Sequence, residues 1–148
     1  MSIRSVWTGV VRMDRLRYRE LAGLAGEWLE AYIDGPLRVG DSSGHEERAI
    51  YVVENGMGMA CYAGQTHPAD VSRGVAGVRI RQHLREPSKA AEWELYWVIP
   101  LRPGTPDVTV DHLEHLVCSR LGLPVRNRRW QRRASAVTSD ARASLTWP

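Results

Sequence analysis

The sequence predicts an α+β fold: a small three-stranded, mostly antiparallel sheet flanked by helices, preceded by an N-terminal strand and helix. Three observations lead to this class. Residues 50–66, "IYVVENGMGMACYAGQT", are typical of a β-hairpin, and residues 92–101, "EWELYWVIPL", form the strongest further strand. Two segments, 75–86 and 108–122, have the apolar spacing of amphipathic helices. The order strand, strand, helix, strand, helix is that of a compact α+β unit.

Within the hairpin, the dipeptide Asn55-Gly56 predicts a two-residue turn, because both positions of such a turn require positive φ. The first helix of the last pair is expected to end before Pro87. The second is expected to end at Gly122.

The N-terminal region predicts a strand at residues 4–11 and then a helix that begins near Asp14 and is stopped by "DGP" at 34–36. Its buried face would carry Leu21, Leu24, Ala25, Trp28, Leu29 and Tyr32. The polar segment 39–48 is the best candidate boundary. We therefore predict an extension at 1–48, a main domain at 49–133 and a C-terminal tail at 134–148.

The composition is that of an ordinary globular chain of 148 residues, 43% of them hydrophobic. No stretch reaches the roughly 18–20 apolar residues that a membrane span requires, and the first residues lack the apolar core of a signal peptide. The two cysteines, Cys61 and Cys118, are expected to be reduced and buried. These features predict a cytoplasmic protein that does not enter a membrane.

The basic residues are unevenly distributed, although the net charge is only +3. Of the 20, all are arginine except Lys89. The segment "SRLGLPVRNRRWQRR" is strongly basic and contains Trp130. Arginine matches phosphate geometry and tryptophan stacks on bases, so this segment predicts a nucleic-acid contact; a solvated tail in an arginine-rich chain explains the charge equally well.

Three side chains that could bind a metal or take part in catalysis lie at the edges of the buried faces of the predicted helices. Arg79 and His83 lie four residues apart, on one side of a helix, and Glu114 lies at the margin of the buried stripe of the last helix. In the same helix, His112 and His115 lack the accompanying ligands of a zinc site, so we do not favour zinc there.

The order of these residues resembles the GIY-YIG nuclease domain family. That family has a GIY triplet, a YIG triplet, an arginine in the first helix, a glutamate in a later helix and an asparagine beyond it. The resemblance covers about residues 49–130, with "AIY" and "YAG" as the triplets. It assigns the family positions to Tyr51, Tyr62, Gly64, Arg79, His83, Glu114 and Asn127.

The chain departs from the family pattern at three points. Ala49 replaces the first glycine, Ala63 replaces the isoleucine, and the connection from Tyr62 to the arginine is long. Because of that longer connection, Arg73 and Arg81 are rivals of Arg79 for the arginine position.

The chemistry implied by the resemblance is metal-dependent hydrolysis of phosphodiester bonds in DNA, with RNA left open as a substrate. Glu114 would hold Mg²⁺, or another divalent cation such as Mn²⁺, since a carboxylate suits a hard ion. Arg79 would face the phosphoryl oxygens, and Tyr51 would orient or deprotonate the attacking water with help from Tyr62 and His83. We expect these five side chains to line one cleft. DNA contacts are predicted for Asn127, Arg126, Arg128, Arg129, Trp130, Arg132 and Arg133.

The altered triplets and the long connection also motivate a second hypothesis from another class. In it, the chain keeps the GIY-YIG fold and binds nucleic acid but cleaves nothing. The sequence leaves the oligomeric state open, a homodimer included.

Overall fold

A computed structural model describes residues 11–66 and 74–124 of the chain. The fold is α+β, with an open four-stranded antiparallel sheet and four α-helices in the described part. The elements in chain order are α1 (Arg15–Gly23), β1 (Leu37–Arg38), β2 (Ala49–Asn55), β3 (Ala60–Gln65), α2 (Val75–His83), α3 (Pro87–Glu92), β4 (Trp93–Pro100) and α4 (Asp107–Leu121). No helix among the described residues has the length and apolar character to cross a membrane.

The sheet has one strand more than the sequence predicted. The strand order is β1-β4-β2-β3, and every neighbouring pair is antiparallel. The expectation of three strands was wrong because β1 is only two residues long, which gives no alternating pattern to recognise. Strands β4 and β2 form the centre, and β3 is an edge strand.

The hairpin of β2 and β3 is confirmed, but its predicted two-residue turn is wrong. Asn55 still belongs to β2, and residues 56–59 connect the strands. The side-chain oxygen of Asn55 accepts hydrogen bonds from the backbone N–H groups of Met57 and Met59. This side chain organises a wider turn, in which Gly58, with φ +78°, has the left-handed conformation.

The first helix is shorter than the sequence predicted. Asp14 caps its N-terminus by accepting a hydrogen bond from the backbone N–H of Arg17 at 2.8 Å. The helix ends at Gly23, and a single 3₁₀ turn, Gly26–Trp28, follows. The predicted buried face therefore does not continue to Tyr32, which is 46% exposed.

The ends of α2 and α4 agree better with the sequence patterns that predicted these helices. Helix α2 ends before Pro87, as predicted, and α4 ends where Gly122 provides its C-terminal cap. The six-residue helix α3 was not predicted; Pro87 stands at its start, where its missing N–H costs nothing.

Two apolar clusters cover the two faces of the sheet. Helices α1 and α4 pack on one face, against alternate strand residues such as Ile50 and Val52. Helix α2 packs on the other face, against Tyr51 and Val53. Cys61 and Cys118 are both buried, as expected, and no disulfide joins them.

The described part of the predicted extension is closely joined to the rest of the chain. Helix α1 shares the core of α4, and β1 belongs to the sheet. The Tyr18 hydroxyl donates to the backbone carbonyl of Val98 at 2.6 Å and accepts from the backbone N–H of Ile33 at 2.9 Å. The domain boundary after residue 48 stays a prediction. Residues 4–10 of the predicted first strand and the tail from 134 lie outside the described residues.

Candidate functional site

Two tyrosines from adjacent strands lie together on the α2 face of the sheet. Tyr51 of β2 pairs with Gly64, and Tyr62 of β3 pairs with Val53. Their rings are nearly parallel, with an interplanar angle of 14° and centroids 6.3 Å apart. Tyr51 is only 1% exposed, whereas Tyr62 is half-buried. The hairpin thus presents two phenols side by side, one of them within reach of solvent.

Gly64 provides the space that the Tyr51 ring occupies. A Cβ atom at this position would lie 2.7 Å from Oη and 2.9 Å from Cζ of Tyr51, and 3.2 Å from Cε1 of Tyr62. Contacts below 3 Å to a buried ring leave no room for a methyl group. The phenol of Tyr51 can therefore lie across edge strand β3 only because residue 64 has no side chain.

His83 connects the end of α2 to the tyrosine pair. Its Nε2 lies 3.1 Å from Oη of Tyr51, and its ring centroid lies 5.1 Å from that of Tyr62. Burial, and then the positive charges of Lys89 and Arg79, lower the pKa of His83 to about 4. The imidazole is therefore neutral at physiological pH.

Arg79 lies one helical turn before His83 and is half-buried. It donates to the side-chain oxygen of Gln82 at 3.0 Å, and its positive charge lies close enough to act on Tyr51. Of its two rivals for the arginine position, Arg81 is exposed and Arg73 lies outside the described residues. Of the two described candidates, Arg79 is the one whose charge acts on Tyr51.

The pKa of Tyr51 is raised well above its ordinary value. Burial is the largest cause, followed by the neighbouring Tyr62, and the negative charge of Glu114 adds to the effect. The positive charge of the nearby Arg79 opposes it. Tyr51 is therefore a neutral phenol at physiological pH.

Glu114 lies on the other face of the sheet, where α4 packs. It belongs to α4 and is only 1% exposed, so the expectation that it lies at the margin of the buried stripe was wrong. Its Oε1 accepts from Nε2 of Gln65 at 2.7 Å, and Gln65 follows Gly64 in β3. The five predicted residues thus do not share one face, but Glu114 lies near enough for its charge to act on Tyr51.

Sequence reasoning missed two residues of this site. Asp111, one turn before Glu114, places Oδ1 2.7 Å from the same Nε2 atom of Gln65, so the two carboxylates lie side by side. Lys89 of α3 places Nζ 2.8 Å from Nδ1 of His83. The signal for Asp111 was its spacing of three from Glu114, and that for Lys89 was its being the only lysine in an arginine-rich chain.

A cavity of about 250 Å³ adjoins the exposed side of the site. Its lining combines one cation with carboxylates and aromatic rings: Cys61, Tyr62, Glu86, Ser88, Lys89, Glu92 and Trp93. Lys89 and Tyr62 therefore face both this cavity and His83.

The donor atoms near Glu114 agree in type with a hard divalent cation. Two adjacent carboxylates, from Asp111 and Glu114, offer the oxygen ligands that Mg²⁺ prefers. No group of three or more His, Cys, Asp or Glu side chains is arranged to hold a metal in residues 11–66 and 74–124. A cation here would therefore depend on one or two carboxylates plus water or substrate oxygens.

All of the predicted DNA-contacting residues lie outside the described part of the chain: Arg126, Asn127, Arg128, Arg129, Trp130, Arg132 and Arg133. Comparisons with models of known families, with characterised proteins and with solved structures found no match to this chain.

Proposed function

We propose that this chain is a metal-dependent endonuclease of the GIY-YIG type that hydrolyses phosphodiester bonds in DNA. One observation carries the proposal: Tyr62, Arg79 and His83 surround the phenol of Tyr51, which packs on Gly64, and the charge of Glu114 acts on the same phenol. Each residue type alone is common in a core or on a surface. Their convergence, in the order that resembles the family, favours a catalytic site over packing.

Arg79 is the residue that meets the phosphate. Its guanidinium is half-buried, donates a hydrogen bond to Gln82 and lies close enough for its positive charge to act on Tyr51. A cation fixed in this way stabilises negative charge that develops on phosphoryl oxygens without having to reorganise.

Tyr51 orients the attacking water at its Oη atom. Because its pKa is raised, the phenol is neutral before substrate binds, and orientation is favoured over removal of the water's proton. Arg79 and His83 hold Oη in place from α2. Tyr62, the more exposed of the pair, forms the solvent side of the site and contacts the substrate.

Glu114, with Asp111 beside it, would hold the divalent cation, Mg²⁺ or Mn²⁺. When bound, such a cation polarises the scissile phosphate and stabilises the leaving oxygen. The chain's own contribution is to keep the two carboxylates together, which Gln65 does by donating to both.

The binding-module hypothesis is favoured by one observation. Tyr51 and Glu114 are each only 1% exposed, so the described residues leave little of either side chain accessible to a substrate. In that case the basic segment would bind nucleic acid and the tyrosine cluster would serve packing.

Cleavage and binding measured on the same DNA discriminate the two functions. Wild type, Glu114→Gln and the exposed control Glu27→Gln are incubated with plasmid and branched DNA, with Mg²⁺ and with a chelator. Glu114→Gln keeps the acceptor for Gln65 but removes the charge that holds the cation. We expect its cleavage to fall by at least about 100-fold, with DNA binding retained and Glu27→Gln equal to wild type.

Equal cleavage by wild type and Glu114→Gln would show that Glu114 is not the metal-binding residue. Binding without cleavage by every protein, on every nucleic acid tried, would establish the binding module instead.

A further inference from the structure

The side chain of Lys89, in α3, lies against the candidate site and contacts several of its residues. Its ammonium lies 2.8 Å from Nδ1 of His83 and its side chain is only 20% exposed. It lies 5.1 Å from the ring centroid of Tyr62 and 5.5 Å from that of Trp93, which is cation–π geometry. A Glu86 carboxylate 3.1 Å away completes its surroundings. The only lysine of the chain is therefore held against the candidate site from several directions.

The contact with the Lys89 ammonium decides which ring nitrogen of His83 carries the proton. An ammonium has only donors, so Nδ1 of His83 must accept from Lys89. A neutral imidazole has one N–H group, which must then be at Nε2. Since Nε2 lies 3.1 Å from Oη of Tyr51, the imidazole donates and the tyrosine oxygen accepts.

We propose that Lys89 is a positioning residue that holds His83 as the Nε2–H tautomer, so that His83 donates a hydrogen bond to Tyr51. The opposite tautomer would accept a hydrogen bond from the Tyr51 hydroxyl at Nε2 and would stabilise the neutral phenol. A donor directed at Oη stabilises negative charge on that oxygen instead, in the same sense as Arg79. The tautomer assignment stands on geometry alone; its consequence for cleavage rests on the proposed function.

The tautomer can be read directly from the ¹⁵N chemical shifts of the His83 ring, assigned by comparison with His83→Gln. At pH 7 we expect wild type to show a protonated Nε2 and an unprotonated Nδ1. In Lys89→Met, which removes the donor, we expect the proton to shift towards Nδ1. Glu86→Gln, which removes the partner of Lys89 but not the lysine, is expected to keep the wild-type signature.

The pKa of His83 is a second readout, and it does not depend on the tautomer. Because the charge of Lys89 helps to lower the pKa of His83, Lys89→Met should raise that pKa from about 4. A wild-type ring with its proton on Nδ1 would overturn the proposal without any variant. So would an unchanged ¹⁵N signature and an unchanged His83 pKa in Lys89→Met.

A cleavage assay distinguishes a failure of the positioning role of Lys89 from a failure of the proposed nuclease function. If wild type cleaves DNA, we expect Lys89→Met to be slower by about 10- to 100-fold, as for other residues that act through a neighbouring group. A changed tautomer with unchanged cleavage would overturn the positioning role. If wild type cleaves nothing, the nuclease proposal fails, whereas the NMR result still decides the tautomer.

Discussion

Replacing Gly64 with alanine tests the packing on which the candidate site depends. The new Cβ would lie 2.7 Å from Oη and 2.9 Å from Cζ of Tyr51. Carbon atoms in favourable contact lie about 3.5–4.0 Å apart, so one group must move by roughly 1 Å. Tyr51 is enclosed at 1% exposure and has no open space to move into.

The expected cost follows from measured effects of overpacking. An added methylene in a tightly packed core destabilises by about 1–3 kcal/mol. For a chain of this size each kcal/mol shifts Tm by roughly 2–4 °C, so we expect Gly64→Ala to lower Tm by several degrees. Displacement of the phenol should also break its 3.1 Å hydrogen bond with His83 and reduce cleavage.

The assay is urea and thermal denaturation of Gly64→Ala beside a matched control, Gly23→Ala. A Cβ at Gly23, in α1, meets nothing within 4 Å, and alanine there should be neutral or stabilising by up to about 1 kcal/mol. In a Tyr51→Phe background the cost of Gly64→Ala should shrink but persist, because the Cζ contact remains. Equal stability of Gly64→Ala and wild type would refute the close packing of Tyr51 on β3.

Two further predictions concern stability. Tyr18→Phe should cost about 1–3 kcal/mol by urea denaturation, because it leaves the Val98 carbonyl and the Ile33 N–H without their buried partner; a cost no larger than that of the exposed control Tyr32→Phe would contradict this. His83 has a folded-state pKa of about 4, below its ordinary value of about 6.5, so the unfolded state binds the extra proton between these values. Wild type should therefore lose up to about 3 kcal/mol relative to His83→Gln as pH falls from about 6.5 to 4, and parallel stability curves would show that His83 is not buried as described.

The sequence predicted those elements that a strong local pattern specifies. Strand β4 and helix α4 have long apolar patterns, and α4 has a glycine cap, so both were located closely. Strand β1 has two residues and no pattern of its own; it exists because β4 has a free edge with which it can pair. Helix α1 followed its pattern only until Gly23; beyond it the chain follows the end of β4, where the backbone N–H of Glu30 donates to the Pro100 carbonyl.

The sequence pointed to several of the residues that the structure brings near Tyr51, but not to their arrangement, and it gave no assignment for Asp111 or Lys89. Tyr51 and Tyr62 share a face because strand residues alternate, and Arg79 and His83 share a side of α2 because they are four apart. The extent to which Glu114 is buried depends on the way α4 packs across β3. No local sequence pattern specifies that packing. The contact of Lys89 with His83 depends on the turn between α2 and α3, so a lone lysine gave no geometric signal.

The most direct test of the nuclease proposal is single-turnover cleavage of DNA with Mg²⁺ by wild type, Tyr51→Phe and Tyr32→Phe. The two variants make the same chemical change, but the Tyr51 hydroxyl lies within the site and Tyr32 is 46% exposed beside α1. We expect Tyr51→Phe to be slower by about 100-fold or more, because the attacking water loses the hydroxyl that orients it, and Tyr32→Phe to match wild type. Equal rates for all three proteins would contradict the assignment of Tyr51 to the reaction.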